Sequence, residues 1–204
     1  MVRHLILASA SQGRRELLEE AGYAFEVRVA AADVEEAAVS GAVARGAGPE
    51  ELALTAARAK AEAVAAQAGA EAVVVAADTV VRAADGEVLG KGGTAGESAA
   101  ILRKLAGTVH QVISGAVILG GGRRFELVHS TAVELRPMSD EEIGEYVGSG
   151  RSVGASGGYR IQRRGTDRYL RLVSGSLSNV VGLPMEEIIP ILAGLGVEPR
   201  DAGA

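Results

Sequence analysis

The stretch from Ala72 to Arg82, AVVVAADTVVR, sets one carboxylate inside an otherwise apolar run. The β-branched residues read as strand, either continuous or broken at Asp78. An ionised Asp buried without partners costs several kcal/mol even after relaxation. Asp78 therefore needs a cation, a metal ion or exposure at a strand end. The bland alternative is an Asp that caps a turn.

The rest of the chain limits how that need can be met. Its 204 residues suit one domain, or two tightly packed lobes. Hydrophobic residues make up 48%, aromatics only 3%, and Trp is absent, so the expected core is Ala, Val, Leu and Ile. A formal charge of -5 argues against a nucleic-acid polymer as partner but leaves room for a small anion in a local cationic pocket. With no Cys there is no disulfide framework, thiol nucleophile or Cys-based zinc site. No apolar run reaches the ~18 residues of a membrane span. The segment HLILASA is too short for a signal-peptide core. A cytoplasmic protein without membrane partners is expected.

Along the chain, HLILA reads as a buried strand, followed by a helix over Arg14–Ala21 with Leu17 and Leu18 inward and Gly22 as its stop. FEVRVA alternates as a strand should. Residues 31–48 read as an Ala/Gly-rich loop carrying Asp33, Glu35 and Glu36. Pro49 to Ala68 has Pro at its start, acids in its first turn and Gly69 at its end, which predicts a helix. AADGEV reads as a hairpin turn, and Ser98–Leu105 as a helix. HQVISGAVIL and RRFELVHSTAVEL read as paired strands joined by GGG. Ser139 opens a helix with Glu142 completing a capping box. A last helix falls near Met185–Leu195, and residues 198–204 read as a frayed tail. The order is mixed α/β, without repeats.

Three constellations could carry chemistry. Ser9, Ser11, Arg14 and Arg15 lie where a strand gives way to a helix. Free amides there carry partial positive charge, and hydroxyls with a guanidinium would complete a phosphate cradle. The bland alternative is a Ser N-cap followed by solvated arginines. GEVLGKGGT resembles a Walker loop but has the wrong glycine spacing and no Ser or Thr after Lys91, so it reads as a hairpin arm delivering Lys91. Lys60, on its own pattern, reads as part of a solvated helix face. His4, His110 and His129 lack metal-ligand spacing and read as core or surface residues. No G-x-S-x-G elbow supports acyl transfer.

Taken in order, LASASQGRRELLEEAG, DVEE, ARAKAEAV, AADTVV, GEVLGK, LRKLAGTVHQV, GGYRIQ and NVVGLP make the chain resemble the Maf family of nucleoside triphosphate pyrophosphatases from about Leu5 to Leu195. The resemblance implies an α/β fold with a twisted mixed sheet and flanking helices, two lobes around a cleft, spanning residues 1–204 as one Maf-like domain. It implies metal-dependent hydrolysis, with Mg or Mn, of the α–β anhydride of a nucleoside triphosphate to the monophosphate and pyrophosphate. By position, Ser9 and Arg14 match the phosphate-binding loop, Lys60 and Lys91 the family's cations, which the resemblance makes catalytic, and Glu36 the acidic loop, a metal-ligand candidate. Asp78 matches the general base and is a metal-ligand candidate as well; Thr79 and Gln162 match base-selectivity positions. Family members are often homodimers.

Departures bear on the base. SPRR of the uridine and thymidine enzymes reads SQGRR here, so the first arginine falls on Gly13. DKAG reads GASG, leaving Ala155 where a lysine stands. Gln162 is retained, whereas the 7-methyl-GTP branch carries Glu there and a Trp before the arginines. The expected substrates are UTP and dTTP, with CTP if Gly13, at a substrate-binding position, broadens selectivity, or else modified nucleotides. The alternatives are a 7-methyl-GTP pyrophosphatase and a nucleotide-binding regulator of septum formation.

Overall fold

In the computed structural model, which describes residues 4–150, 152–161 and 168–200, Asp78 lies inside one unbroken strand. Chain order is β1 (His4–Leu7), α1 (Gln12–Glu20), β2 (Phe25–Val27), α2 (Ala32–Ala44), α3 (Pro49–Ala65), β3 (Ala72–Arg82) and β4 (Val88–Leu89). There follow α4 (Ala95–Leu105), β5 (Thr108–Gly120), β6 (Arg123–Leu135), α5 (Asp140–Gly148), β7 (Leu170–Ser174), α6 (Leu177–Val181) and α7 (Met185–Gly194). The seven strands form a mixed sheet ordered β2-β1-β3-β5-β6-β7, with β4 on β3. The chain divides into two units, one of Met1–Asp78, Ser114–His129 and Val181–Ala204, the other of Thr79–Ile113 and Ser130–Val180.

In the first unit β1 pairs in parallel with both β2 and β3, Leu5 lying opposite Phe25 and Val73. Alternation along the strands divides their side chains between two cores. Leu5, Leu7, Val73, Val75 and Ala77 pack with Leu18 of α1 and Ile188 and Leu192 of α7. Ile6, Ala8, Val74 and Ala76 pack with Leu54, Ala57, Ala61 and Val64 of α3. Both strand faces are covered, which is why the run reads apolar throughout rather than alternating. Each fully buried Leu or Ile contributes about 1.5–3 kcal/mol before ordering entropy is set against it.

The inward stripe of α3 is mostly alanine, so its backbone comes close to the sheet. At Gly115 of β5 a Cβ would lie 2.5 Å from Leu54 N and 2.6 Å from the Ala53 carbonyl carbon. Residues 31–48 are not the expected loop: α2 occupies most of them and packs on α3. Only Ala42 of α2 is fully buried, so the helix leaves almost no apolar stripe to read. Acids in its first turn suit the helix dipole, and Gly46 at φ +74° ends it. The tail is held as far as Arg200, whose N–H donates to Gly22 O at 2.8 Å; residues 201–204 lie outside the described residues.

In the second unit, Ala83 N donates to Glu87 O at 2.9 Å and Gly86 has φ +90°, closing the hairpin that Asp-Gly predicts. Capping boxes open α4 at Thr94/Glu97 and α5 at Ser139/Glu142, so α4 starts three residues before the expected Ser98. The core gathers Val81, Leu102, Leu105, Val112, Val133, Leu135 and Ile143 around Tyr146, Tyr159 and Tyr169. That corrects the purely aliphatic core expected from composition: few aromatics are present, but three are concentrated here. Among the described residues no helix is long and apolar enough to cross a membrane.

Gly115→Ala tests the backbone contact that seats α3. The atoms in the way belong to main chain and cannot swing aside, so a loss toward the upper end of about 1–3 kcal/mol is expected. Urea titration measures it, and an unchanged midpoint would mean that α3 shifts freely.

Candidate active site

The turn between β1 and α1 comes first. Ser9 is buried, and Ser11 N donates to its Oγ at 3.2 Å. Ser11 occupies the N-cap position of α1, yet its side chain makes no capping bond. The first amides of α1 therefore keep the partial positive charge that suits an anion. Arg14 points into the protein, unlike the exposed Arg15. Its Nε donates to Gly182 O at 2.9 Å and its Nη1 to Ser9 Oγ at 3.0 Å. Burial pushes the Arg14 pKa below the usual guanidinium value, while the charges of Asp78 and then Glu35 push it back up. The group remains a cation.

Position 78 shares its strand face with Val74 and Ala76, the face that α3 covers. Position 60 falls four residues after Ala56 and four before Val64, on the buried stripe of α3. Lys60 Nζ accordingly meets Asp78 Oδ1 at 2.8 Å and Ala77 O at 3.3 Å, with both charged side chains 10% exposed. It also reaches Glu35 Oε2 at 3.1 Å. The cation that Asp78 required is Lys60, and the reading of Lys60 as a solvated face is overturned.

Glu35 is the partner that the sequence did not single out. The expected acidic residue, Glu36, is exposed, and the ion pair from α2 is made by its neighbour. Helical spacing within α2 was the signal that could have separated the two. In this unit two cations, Arg14 and Lys60, thus stand with two carboxylates, Asp78 and Glu35. Two carboxylate donors fit Mg or Mn, hard ions that take oxygen ligands and share their shell with substrate phosphates. Among the described residues no group of three or more Asp, Glu, His or Cys could hold a metal ion by itself.

Gly13 explains itself sterically. A Cβ there would lie 2.9 Å from Val181 Cγ1 and 3.1 Å from Val181 O. Any side chain at position 13 needs the end of α6 to shift.

The second unit holds Thr79 and Lys91. Thr79 is buried, and its carbonyl accepts from Ser156 Oγ at 2.9 Å. Lys91 forms an antiparallel bridge with Ser156, and Gly154 N donates to Gly92 O at 2.8 Å. Tyr159 is fixed by its hydroxyl, 2.6 Å from His110 Nε2. Gln162 lies outside the described residues. The histidines take core and surface places: His110 is 1% exposed, and exposed His4 pairs with Glu26 at 2.8 Å. His129 Nδ1 lies 2.7 Å from Glu187 Oε1.

Lys60→Met should cost about 3–5 kcal/mol, because it leaves Asp78 and Glu35 buried or half-buried without their shared counter-ion. Denaturant unfolding measures it, and a loss below ~1 kcal/mol would place the pair in free exchange with solvent.

His110 sets a pH dependence. Desolvation pushes its pKa down to about 4. In the unfolded chain it titrates near the ordinary ~6.5. As pH falls between those values only the unfolded state gains the proton, so His110 stabilises fully above ~6.5 and loses about 3 kcal/mol by pH ~4. His110→Gln, which keeps a partner for Tyr159, should flatten the fall in unfolding free energy between pH 7 and 4.5. An equally steep fall in the variant would assign it to other groups.

Comparison with known proteins places these residues in context. The protein-family model described as Maf-like protein matches residues 4–195. A dTTP/UTP pyrophosphatase of Salinibacter ruber is 41% identical over 186 residues, 90% of this chain and 87% of the relative. Another dTTP/UTP pyrophosphatase, from Thermus thermophilus, is 40% identical over 195 residues, 96% of each chain. A third, from Geotalea uraniireducens, is 37% identical over 195 residues, 95% of each.

Proposed function

The chain belongs to the Maf family, and on that footing we propose that it hydrolyses the α–β phosphoanhydride of pyrimidine nucleoside triphosphates, releasing the monophosphate and pyrophosphate. The observation that carries the reading is Lys60 shared between Asp78 and Glu35, in the unit where Arg14 lies buried with its Nη1 on Ser9. A pure nucleotide binder gains nothing from a carboxylate beside bound phosphate, since the two repel. A hydrolase needs one. This favours the enzyme over a regulator of septum formation that only binds.

In the proposed reaction, Arg14, Ser9 and the first amides of α1 hold phosphate oxygens. Lys60 and Lys91 offset the triphosphate's charge of about -4. Asp78 takes the proton from the attacking water as the water oxygen bonds to phosphorus and the bridging oxygen departs. A divalent metal, when bound by Asp78 with Glu35 or Glu36 and by phosphate oxygens, would supply charge neutralisation and a more acidic water. Base selection is assigned to Gln162 and Thr79. The Gln amide offers a donor and an acceptor, which matches the C=O and N–H edge of uracil and thymine. Relatives described as dTTP/UTP pyrophosphatases agree with that choice. Gly13 lacks the arginine side chain of the SPRR pattern, so selectivity should extend to CTP.

The test is kcat/KM for UTP, dTTP, CTP, GTP and 7-methyl-GTP measured side by side with pyrophosphate detection. UTP and dTTP should lead. A tenfold lead for 7-methyl-GTP, about 1.4 kcal/mol in transition-state terms, would overturn the base assignment. Asp78→Asn should lower turnover by about 10²–10⁴ at saturating metal. Retained turnover would remove Asp78 from the chemistry.

A further inference from the structure

We propose that Gly182 is a positioning residue for the phosphate-binding Arg14, a role that rests on the reading of Arg14 given above. The end of α6 and the turn that follows it meet the first turn of α1 at two consecutive places. Val181 closes on Gly13, and Gly182 closes on Arg14. The carbonyl of Gly182 accepts from Arg14 Nε at 2.9 Å, while Ser9 Oγ accepts from Nη1 at 3.0 Å. One anchor would let the guanidinium swing; two, on different nitrogens, fix its plane. The position also requires glycine. Gly182 has φ +124°, and a Cβ there would lie 3.0 Å from Arg14 Nε and 3.4 Å from its Cγ. The turn has little freedom to retreat, because the next residue, Leu183, is completely buried in the core with Leu18 and Ile188. An alanine at 182 therefore displaces the arginine rather than the turn.

The experiment is a double-mutant cycle on the full-length chain, read by UTP turnover and by calorimetric binding of inorganic tripolyphosphate, which carries no base. Gly182→Ala should raise KM for UTP and Kd for tripolyphosphate about tenfold, the scale of one charge-assisted contact. Its kcat should change less than about threefold, as expected when uniform binding is lost. In an Arg14→Ala background the same substitution should change tripolyphosphate binding less than about twofold, because its target is gone. Equal losses in both backgrounds, or no loss in either, would overturn the proposal. If Gly182→Ala does not fold, Arg14→Lys gives the answer: it keeps the charge but cannot engage Gly182 O and Ser9 Oγ as a fork. It should then lose about as much tripolyphosphate affinity as Arg14→Ala, and wild-type affinity in Arg14→Lys overturns the role of Gly182. A wild-type chain that binds tripolyphosphate but does not turn over UTP leaves the positioning role standing and sinks the pyrophosphatase reading. A wild-type chain that binds tripolyphosphate too weakly to measure but turns over UTP sinks the positioning role alone, and one that does neither sinks both.

Discussion

A lysine ammonium 2.8 Å from an aspartate carboxylate, both largely withdrawn from water, is the contact that the first unit is arranged around. Much of the cost of burying the Asp78 carboxylate in β3 is offset by it, since a buried carboxylate deprived of its cation is expensive. Lys60 in turn could not reach Asp78 unless α3 lay close on the sheet. That closeness depends on the alanine stripe of α3 and on Gly115, where a single added carbon would collide with main chain. α2 packs on α3 and brings Glu35 to the same ammonium. A small-residue interface and a charged pair are thus one device: the first sets the distance, and the second uses it.

The start of α1 solves the related problem of burying a cation. Arg14 is held through the carbonyl of Gly182 and the hydroxyl of Ser9, and its charge is offset by Asp78 and Glu35. The substitution of glycine for the family's first arginine at position 13 fits the same turn, because Val181 fills the space that a side chain would need. The departure that most weakens a simple transfer of base specificity is therefore built into the local packing. In the proposed reading, selectivity rests on Gln162 and Thr79 rather than on position 13.

Much of this was legible in particular residues. Asp78 inside an apolar strand called for a cation, a metal ion or an exposed strand end, and the structure supplies the first of these in Lys60. Lys60 was legible in principle, because spacings of four to Ala56 and Val64 put it on the buried stripe. Alanine carries so little hydrophobic signal, however, that the stripe does not stand out from the solvated face. α2 stayed hidden for a similar reason: with only Ala42 fully buried it has almost no apolar periodicity, and with the helix went the choice between Glu35 and Glu36. The contacts of Gly13 and Gly182 lie beyond any local pattern, since they join residues about 168 positions apart.

The pairing of two cations with two carboxylates has a kinetic side. Charges that offset one another locally project little field into solvent, and the chain as a whole is negative, at -5. Such a cluster does not draw a polyanion in from a distance. Encounter with a polyanion then gains no electrostatic steering, and the repulsion from the net negative charge weakens as salt screens it. In the proposed reading, attraction begins only at contact, when the Lys60 ammonium and the Arg14 guanidinium meet phosphate. A ligand that arrives with its charge already masked by a divalent ion meets the least repulsion on the way in.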